Sequence, residues 1–167
     1  MNGSTQIRVQ QLEHARGLEL PRYQTSGASG LDLCAALGKE ETIVLEPGCT
    51  ALVPTGLIME MPGGMEAQVR PRSGLAAKFG ITVLNAPGTI DSDYRGEIKV
   101  ILINHGKAPQ PIVRGMRIAQ LIFQKIEKVR LAVTETLTSS KRGAGGFGST
   151  GHGEAEGEEI NHATGNP

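Results

Sequence analysis

The sequence predicts an all-β fold, a jelly roll, sandwich or distorted barrel, with one short helix and a flexible glycine-rich arm towards the C-terminus. Three observations predict it. Short runs rich in β-branched and aliphatic residues recur along the chain, Gly/Pro turn signals separate them at roughly 8–12 residues, and only one stretch reads as helix.

In chain order, residues 7–12, 42–45 and 51–53 read as short strands. Met65-Glu66-Ala67-Gln68-Val69-Arg70 alternates apolar and polar side chains, as a half-buried strand does. Ser73-Gly74-Leu75-Ala76-Ala77-Lys78-Phe79 is the helix, with Ser73 its expected N-cap. Residues 80–84 form another strand. Val100-Ile101-Leu102-Ile103 is continuously apolar, which suits a strand buried on both faces. Residues 118–126 are a longer run of β-formers, and 131–135 a last strand. Pro47-Gly48, Pro54-Thr55-Gly56, Pro62-Gly63-Gly64, Ala86-Pro87-Gly88 and Ala108-Pro109-Gln110-Pro111 punctuate these elements. From Ser139 the periodicity stops. A β-domain over residues 1–138, an arm over 139–151 and an acidic tail over 152–167 follow, the tail with too little apolar surface to order itself.

Composition narrows the function classes. A chain of 167 residues suits one domain with a sizeable core, and with 3 Phe, 2 Tyr and no Trp that core must be aliphatic. Net charge is zero, yet residues 1–142 hold 17 basic against 13 acidic residues, a net of +4, and the rest holds four glutamates and no Lys or Arg. The N-terminal residues lack the apolar region of a signal peptide, and no run is long enough to span a bilayer, so a cytoplasmic protein is expected. Cys34 and Cys49 lack metal-site spacing and are expected as buried free thiols; the four histidines lie far apart.

Four stretches carry chemistry. Gly143-Ala144-Gly145-Gly146-Phe147-Gly148 matches GxGxxG by letter, and 143–150 nearly matches a P-loop, but no helix follows and Ser149 stands where the P-loop lysine belongs. What survives is a set of glycine N–H groups, Arg142 and two hydroxyls that can wrap an anion, with a lone Phe147 available for stacking. Gly88-Thr89-Ile90-Asp91-Ser92-Asp93-Tyr94-Arg95-Gly96-Glu97 is no EF-hand, since its fifth position is Arg95 and no helices flank it. A hairpin turn explains Ser92, Asp93 and Gly96. Asp91, between Ile90 and Tyr94, is better explained as a carboxylate near apolar walls that serves as general base. In Arg70-Pro71-Arg72-Ser73-Gly74 a strand yields to a helix start beside an arginine and a hydroxyl, either an anion site or a mere cap with surface arginines. In Ser29-Gly30-Leu31-Asp32-Leu33, one acid sits in an apolar run and must bond backbone N–H groups or face a cation.

Taken in order, Ser-Gly-Leu-Asp-Leu (29–33), Arg-Ser-Gly-Leu-Ala (72–76), the 88–96 stretch, Arg-Ile-Ala-Gln-Leu (117–121) and Arg-Gly-Ala-Gly-Gly-Phe-Gly-Ser-Thr-Gly (142–151) resemble the five motifs of the trimeric dUTPases. The resemblance spans about residues 5 to 151, with Ser29 where the family more often has Ala. It implies a jelly-roll homotrimer with three shared active sites that hydrolyses dUTP to dUMP and pyrophosphate with Mg²⁺. Asp91 would activate the water that attacks the α-phosphorus. Asn85 and the backbone around Thr89, Ile90 and Lys99 would read uracil, and Tyr94 would pack under the deoxyribose and leave no room for a 2′-hydroxyl. Arg72, Ser73, Gly74 and Gln120 would bind phosphates, and Asp32 would hold Mg²⁺ through its water shell. The arm would close over a neighbour's site, Phe147 on uracil and Arg142, Gly148, Ser149 and Thr150 at the phosphates. Neither a nucleic acid nor a membrane is implied as partner. The nearest rival, dCTP deaminase, shares the fold, but the 91–94 hairpin and the full arm favour dUTPase. A non-catalytic β-sandwich scaffold would need neither Asp91 nor the arginines nor the arm.

Overall fold

The computed structural model describes residues 5–146 of the chain. One compact unit ends at Val129 and a second begins at Arg130. The first carries all the described strands: β1 (Arg8–Gln11), a 3₁₀ turn (Glu13–Ala15), β2 (Leu31–Cys34), β3 (Thr42–Leu45), β4 (Thr50–Glu60), β5 (Met65–Arg70), helix α1 (Ser73–Phe79), β6 (Ile81–Val83), β7 (Gly88–Asp91), β8 (Ile98–Asn104), β9 (Gln110–Val113) and β10 (Arg117–Lys125). They form two four-stranded sheets, β1-β4-β8-β6 and β2-β10-β5-β7, and a two-stranded ribbon, β3-β9. Every ladder is antiparallel.

The alternation in the sequence explains the layering. Val53, Leu57 and Met59 of β4, Val100 and Leu102 of β8, Leu33 of β2, Ala67 and Val69 of β5, and Ala119 and Leu121 of β10 all point into one aliphatic cluster. Two sheets that share a core face to face make a sandwich, here an open-sheeted jelly roll. Among the described residues, the one wholly buried polar side chain of size is Asn104. Its Nδ2 donates to the carbonyls of Leu45 (2.8 Å) and Ala108 (2.9 Å) while Oδ1 accepts the Gly106 N–H (2.8 Å). That residue ties the end of β8 to β3 and to the loop before β9.

Several elements depart from the sequence reading. β4 spans 11 residues rather than 51–53, because Pro54 and Gly56 fall in a bulge instead of ending the strand: the register to β8 shifts between Pro54 and Leu57. Gly56 there has φ +66°, and a Cβ on it would collide with Ala15 of the 3₁₀ turn. Strands β2, β7 and β9 lie where local patterning indicates turns or short apolar runs. β9 tolerates Pro111 because it pairs on one edge only, with β3. β8 is buried on one face, not two: Val100 and Leu102 are buried, while Ile101 and Ile103 are half-exposed in the single chain. Residues 131–135 form no strand, since the extended segment has no ladder partner, and Leu131 and Val133 stand in solvent. The N-cap of α1 is Arg72, not Ser73: the Arg72 carbonyl accepts the N–H groups of Leu75 and Ala76, both at 3.1 Å, without a side-chain cap. Neither thiol is buried as expected. Cys34 is half-buried on β2, and Cys49 is exposed in the turn before β4. Partial burial, the largest cause, pushes the Cys34 thiol up; Asp32 adds to the shift, and Arg117 and Arg72 oppose it.

Asn104→Ala strands the carbonyls of Leu45 and Ala108 and the N–H of Gly106, so urea unfolding should report a loss of about 3 kcal/mol. Thiolate is the reactive form, so iodoacetamide at mildly alkaline pH should label exposed Cys49 well before Cys34 by peptide mass spectrometry.

Candidate active site

The expected residues gather in two places. At one edge of the β2-β10-β5-β7 sheet, Asp32 is 7% exposed. Its Oδ1 accepts Arg72 Nε at 3.1 Å and, at the long limit of 3.4 Å, Gln120 Nε2, while Oδ2 accepts Arg117 Nη1 at 3.2 Å. Arg72 Nη1 also donates to the Arg117 carbonyl at 3.1 Å. Local sequence explains the convergence. Asp32 and Gln120 are register partners across β2 and β10, and Arg72 leaves β5 just past Arg70, itself opposite Gln120. Two guanidiniums against one carboxylate leave one uncompensated positive charge, which suits a polyanion. Ser73 and Gly74, exposed at the start of α1, border this cluster in sequence. Arg117 is the member that sequence reading missed. It stands in the 117–121 motif, ahead of an apolar run, and only the ladder reveals that it reaches Asp32.

Asp32 bears on the metal expected from the resemblance. A carboxylate offers about four acceptor positions, and three are taken, so Oδ2 has one left. That fits contact with a cation through a water molecule, with the ion itself carried on substrate oxygens. Among the described residues no three His, Cys, Asp or Glu side chains converge into a protein-built cage.

The second place is a cleft of about 210 Å³ at the β7–β8 hairpin, lined by Thr89, Ile90, Asp91, Tyr94, Glu97, Ile98 and Lys99. The turn is closed by Tyr94 N–H donating to the Asp91 carbonyl at 3.1 Å, and Arg95 Nη1 donates to the Ser92 and Tyr94 carbonyls. The Tyr94 ring folds back over Gly96, where a Cβ would collide with it, and its hydroxyl donates to the Glu97 carbonyl at 3.2 Å. Asn85 lies against Gly88, its Nδ2 at 3.1 Å from where a Cβ on that glycine would stand. It follows Val83 of β6 and precedes the cis Ala86–Pro87 bond. The walls do not enclose Asp91 as expected: it lines the cleft with Ile90 and Tyr94, yet in the single chain it is exposed. A larger apolar cleft of about 410 Å³, between Ile7, Val9, Leu20, Met59 and Phe123, contains none of the expected residues.

One chain does not bring the two places together. Asp91 pairs with Glu66 on β5, four residues before Arg70, and β7 and β2 are opposite edges of their sheet. With about 4.8 Å between strands and 3.3 Å per residue, Asp32 and Asp91 stand roughly 20 Å apart. A triphosphate is far shorter than that. Arg142 lies in the second unit, exposed, with its Nε donating to the Gly145 carbonyl at 2.8 Å in a local turn. Phe147, Gly148, Ser149 and Thr150 lie outside the described residues, as do 152–167. No helix among the described residues is long and apolar enough to cross a membrane.

Comparison with known proteins bears directly on these residues. A deoxyuridine 5′-triphosphate nucleotidohydrolase of Beijerinckia indica subsp. indica is 63% identical over 147 residues, covering 88% of this chain and 92% of the relative. One of Rhizobium rhizogenes is 60% identical over 140 residues, covering 84% and 90%. Among solved structures, the dUTPase of Staphylococcus bacteriophage 80alpha with dUPNHPP is similar with a TM-score of 0.78 at 25% identity, over 89% of this chain and all of that one. A mutant dUTPase from phage phi11 of S. aureus, with a coordinated structural Mg(II) ion, shares the fold with a TM-score of 0.69 at 23% identity, over 78% and 97%. The dUTPase family model matches residues 16–151, which takes in Asp32, the arginine cluster, the hairpin cleft and the glycine-rich stretch, and the chain belongs to the dUTPase family.

Proposed function

We propose that this chain hydrolyses dUTP to dUMP and pyrophosphate, and does so as a homotrimer whose sites are each completed by a neighbouring subunit. The observation that carries the reading is the hairpin cleft, where a carboxylate, a tyrosine ring and strand backbone meet in a chain of this family. The cleft takes the deoxyuridine. Asn85 and the backbone at Thr89, Ile90 and Lys99 read the uracil edge, and Tyr94, pinned over Gly96, occupies the space that a ribose 2′-hydroxyl would need. Asp91 accepts a proton from the water that attacks the α-phosphorus, and its solvent-exposed position on the rim gives water access.

Charge develops on the departing pyrophosphate, and fixed cations stabilise it. Arg72, Ser73, Gly74 and Gln120 form that phosphate site, with the uncompensated charge of the Asp32 cluster behind it. Mg²⁺, held through water by the remaining acceptor position of Asp32, would supply further positive charge to the phosphate oxygens. The roughly 20 Å between Asp91 and Asp32 in one chain is the reason for the trimer: the base of one subunit must work beside the phosphate site of another. Half-exposed Ile101 and Ile103 and exposed Leu52 are apolar surface that a neighbour would cover. Residues 139–151 act as an arm that closes on the bound substrate, excludes water and brings Arg142, Phe147, Gly148, Ser149 and Thr150 to it. Free thiols at Cys34 and Cys49 fit a cytoplasmic location.

Pyrophosphate release from dUTP with Mg²⁺ is the direct test, and ammonia release from dCTP would overturn the assignment. Asp91→Asn should lower kcat roughly 10²–10⁴-fold while leaving the affinity for a non-hydrolysable dUTP analogue unchanged; equal loss of binding would remove Asp91 from the role of base. Mixing equal amounts of inactive Asp91→Asn and inactive Arg72→Ala subunits should restore activity, about a quarter of all sites being intact when the subunits assort at random into trimers. Mixtures that stay inactive would mean that one chain supplies both groups. Truncation after Arg142 should cripple turnover and leave the trimer intact by light scattering.

A further inference from the structure

The wall of the cleft includes a residue, Glu97, whose largely buried carboxylate has no part in the proposed reaction. The Glu97 side chain is 14% exposed, and its Oε1 accepts two hydrogen bonds of 2.8 Å, one from the Gly56 N–H and one from His14 Nε2. A carboxylate can only accept, so His14 is the donor through Nε2. Oε2 stands 3.6 Å from Lys99 Nζ. The carboxylate therefore joins three elements: the bulge of β4, the 3₁₀ turn before β2, and β8. Each joint is independently constrained. Gly56 is in the left-handed region with Ala15 packed where its side chain would be, and neighbouring Thr55 Oγ1 donates to the Ile98 carbonyl at 2.6 Å. Arg114 Nη1 and Nη2 donate to the carbonyls of His14 and Arg16, holding the 3₁₀ turn from below.

The main chain of the same residue faces the cleft. The Glu97 carbonyl accepts the Tyr94 hydroxyl, so where that carbonyl stands determines how closely the phenol ring lies over Gly96. We infer that Glu97 is a positioning residue for sugar selectivity: its carboxylate, clamped by Gly56 and His14, fixes the carbonyl that holds Tyr94 against the pentose position. This rests on the dUTP reading above and adds to it a residue to which that reading gave no role. The ion pair to Lys99 is secondary, since Lys99 is largely exposed and solvent screens it.

The experiment compares kcat/KM for dUTP and for UTP by pyrophosphate release, with thermal melting run in parallel. Glu97→Ala leaves the Gly56 N–H without a partner and loosens the ring that excludes the 2′-hydroxyl, so the dUTP:UTP ratio should fall on the order of tenfold, mainly through a higher kcat/KM for UTP. Glu97→Gln keeps an acceptor for both donors and should hold the ratio within about twofold of the unsubstituted protein. His14→Ala removes one surface partner and should move the ratio in the same direction as Glu97→Ala by a smaller factor. A role limited to stability would lower the melting temperature and leave the ratio alone, and an unchanged ratio in the alanine variants overturns the inference. If Glu97→Ala fails to fold, His14→Ala decides by itself: a reduced ratio supports the clamp and an unchanged one overturns it. Unsubstituted protein that releases no pyrophosphate from dUTP would overturn the underlying reading instead, and it is told apart because no variant is involved.

Discussion

β5 is hydrogen-bonded along both edges, to β10 on one side and β7 on the other, and that double pairing places Gln120, Asp32, Arg72 and Asp91. Through β10 the strand fixes Gln120 and, one strand further, Asp32, while its own continuation delivers Arg72 to the same carboxylate. Through β7 it fixes Asp91 opposite Glu66, at the other end. A one-residue slip in either ladder would turn the polar set of that strand into the core and the apolar set, Ala67 and Val69, out of it. The apolar alternation of β5 thus sets the register, and the register separates Asp91 from the Asp32 cluster.

That separation is why the proposed function calls on a second subunit. Asp91 and the Asp32 cluster stand about four residues along and three strand spacings across from one another. The two clusters differ accordingly. Asp32 is buried and already paired, a carboxylate that keeps two guanidiniums convergent when no phosphate is present. The hairpin is exposed, and the Tyr94 ring packs where a side chain at Gly96 would stand. A paired, buried cation cluster and an open hairpin cleft are the two arrangements that the proposed function brings together.

Much of the fold is legible from residues alone, for identifiable reasons. β5 and α1 have the same bounds in the sequence reading and in the structure, because one has strict alternation and the other a proline stop before it and an aliphatic face. β4 reads too short because Pro54 and Gly56 are turn residues in isolation; the bulge that absorbs them exists only through Thr55 bonding Ile98 and Gly56 bonding Glu97. β9 is hidden by its prolines, which an edge strand accommodates. The role of Arg117 escapes sequence reading for a similar reason, since its contact spans β2 and β10, 85 positions apart in sequence.

By itself, the sequence determined the class of fold, the positions of some of the turns, the family motifs and the chemical kinds of group available. Those are local properties: periodicity, proline and glycine conformations, and side-chain types at short spacing. Tertiary structure alone decided which of those groups meet. It paired Asp32 with both Arg72 and Arg117, left Asp91 exposed on the far edge of the same sheet, and tucked Glu97 under the hairpin against Gly56 and His14. The physical reason is that strand register and bulges set distances between residues remote in sequence, and no local pattern encodes them.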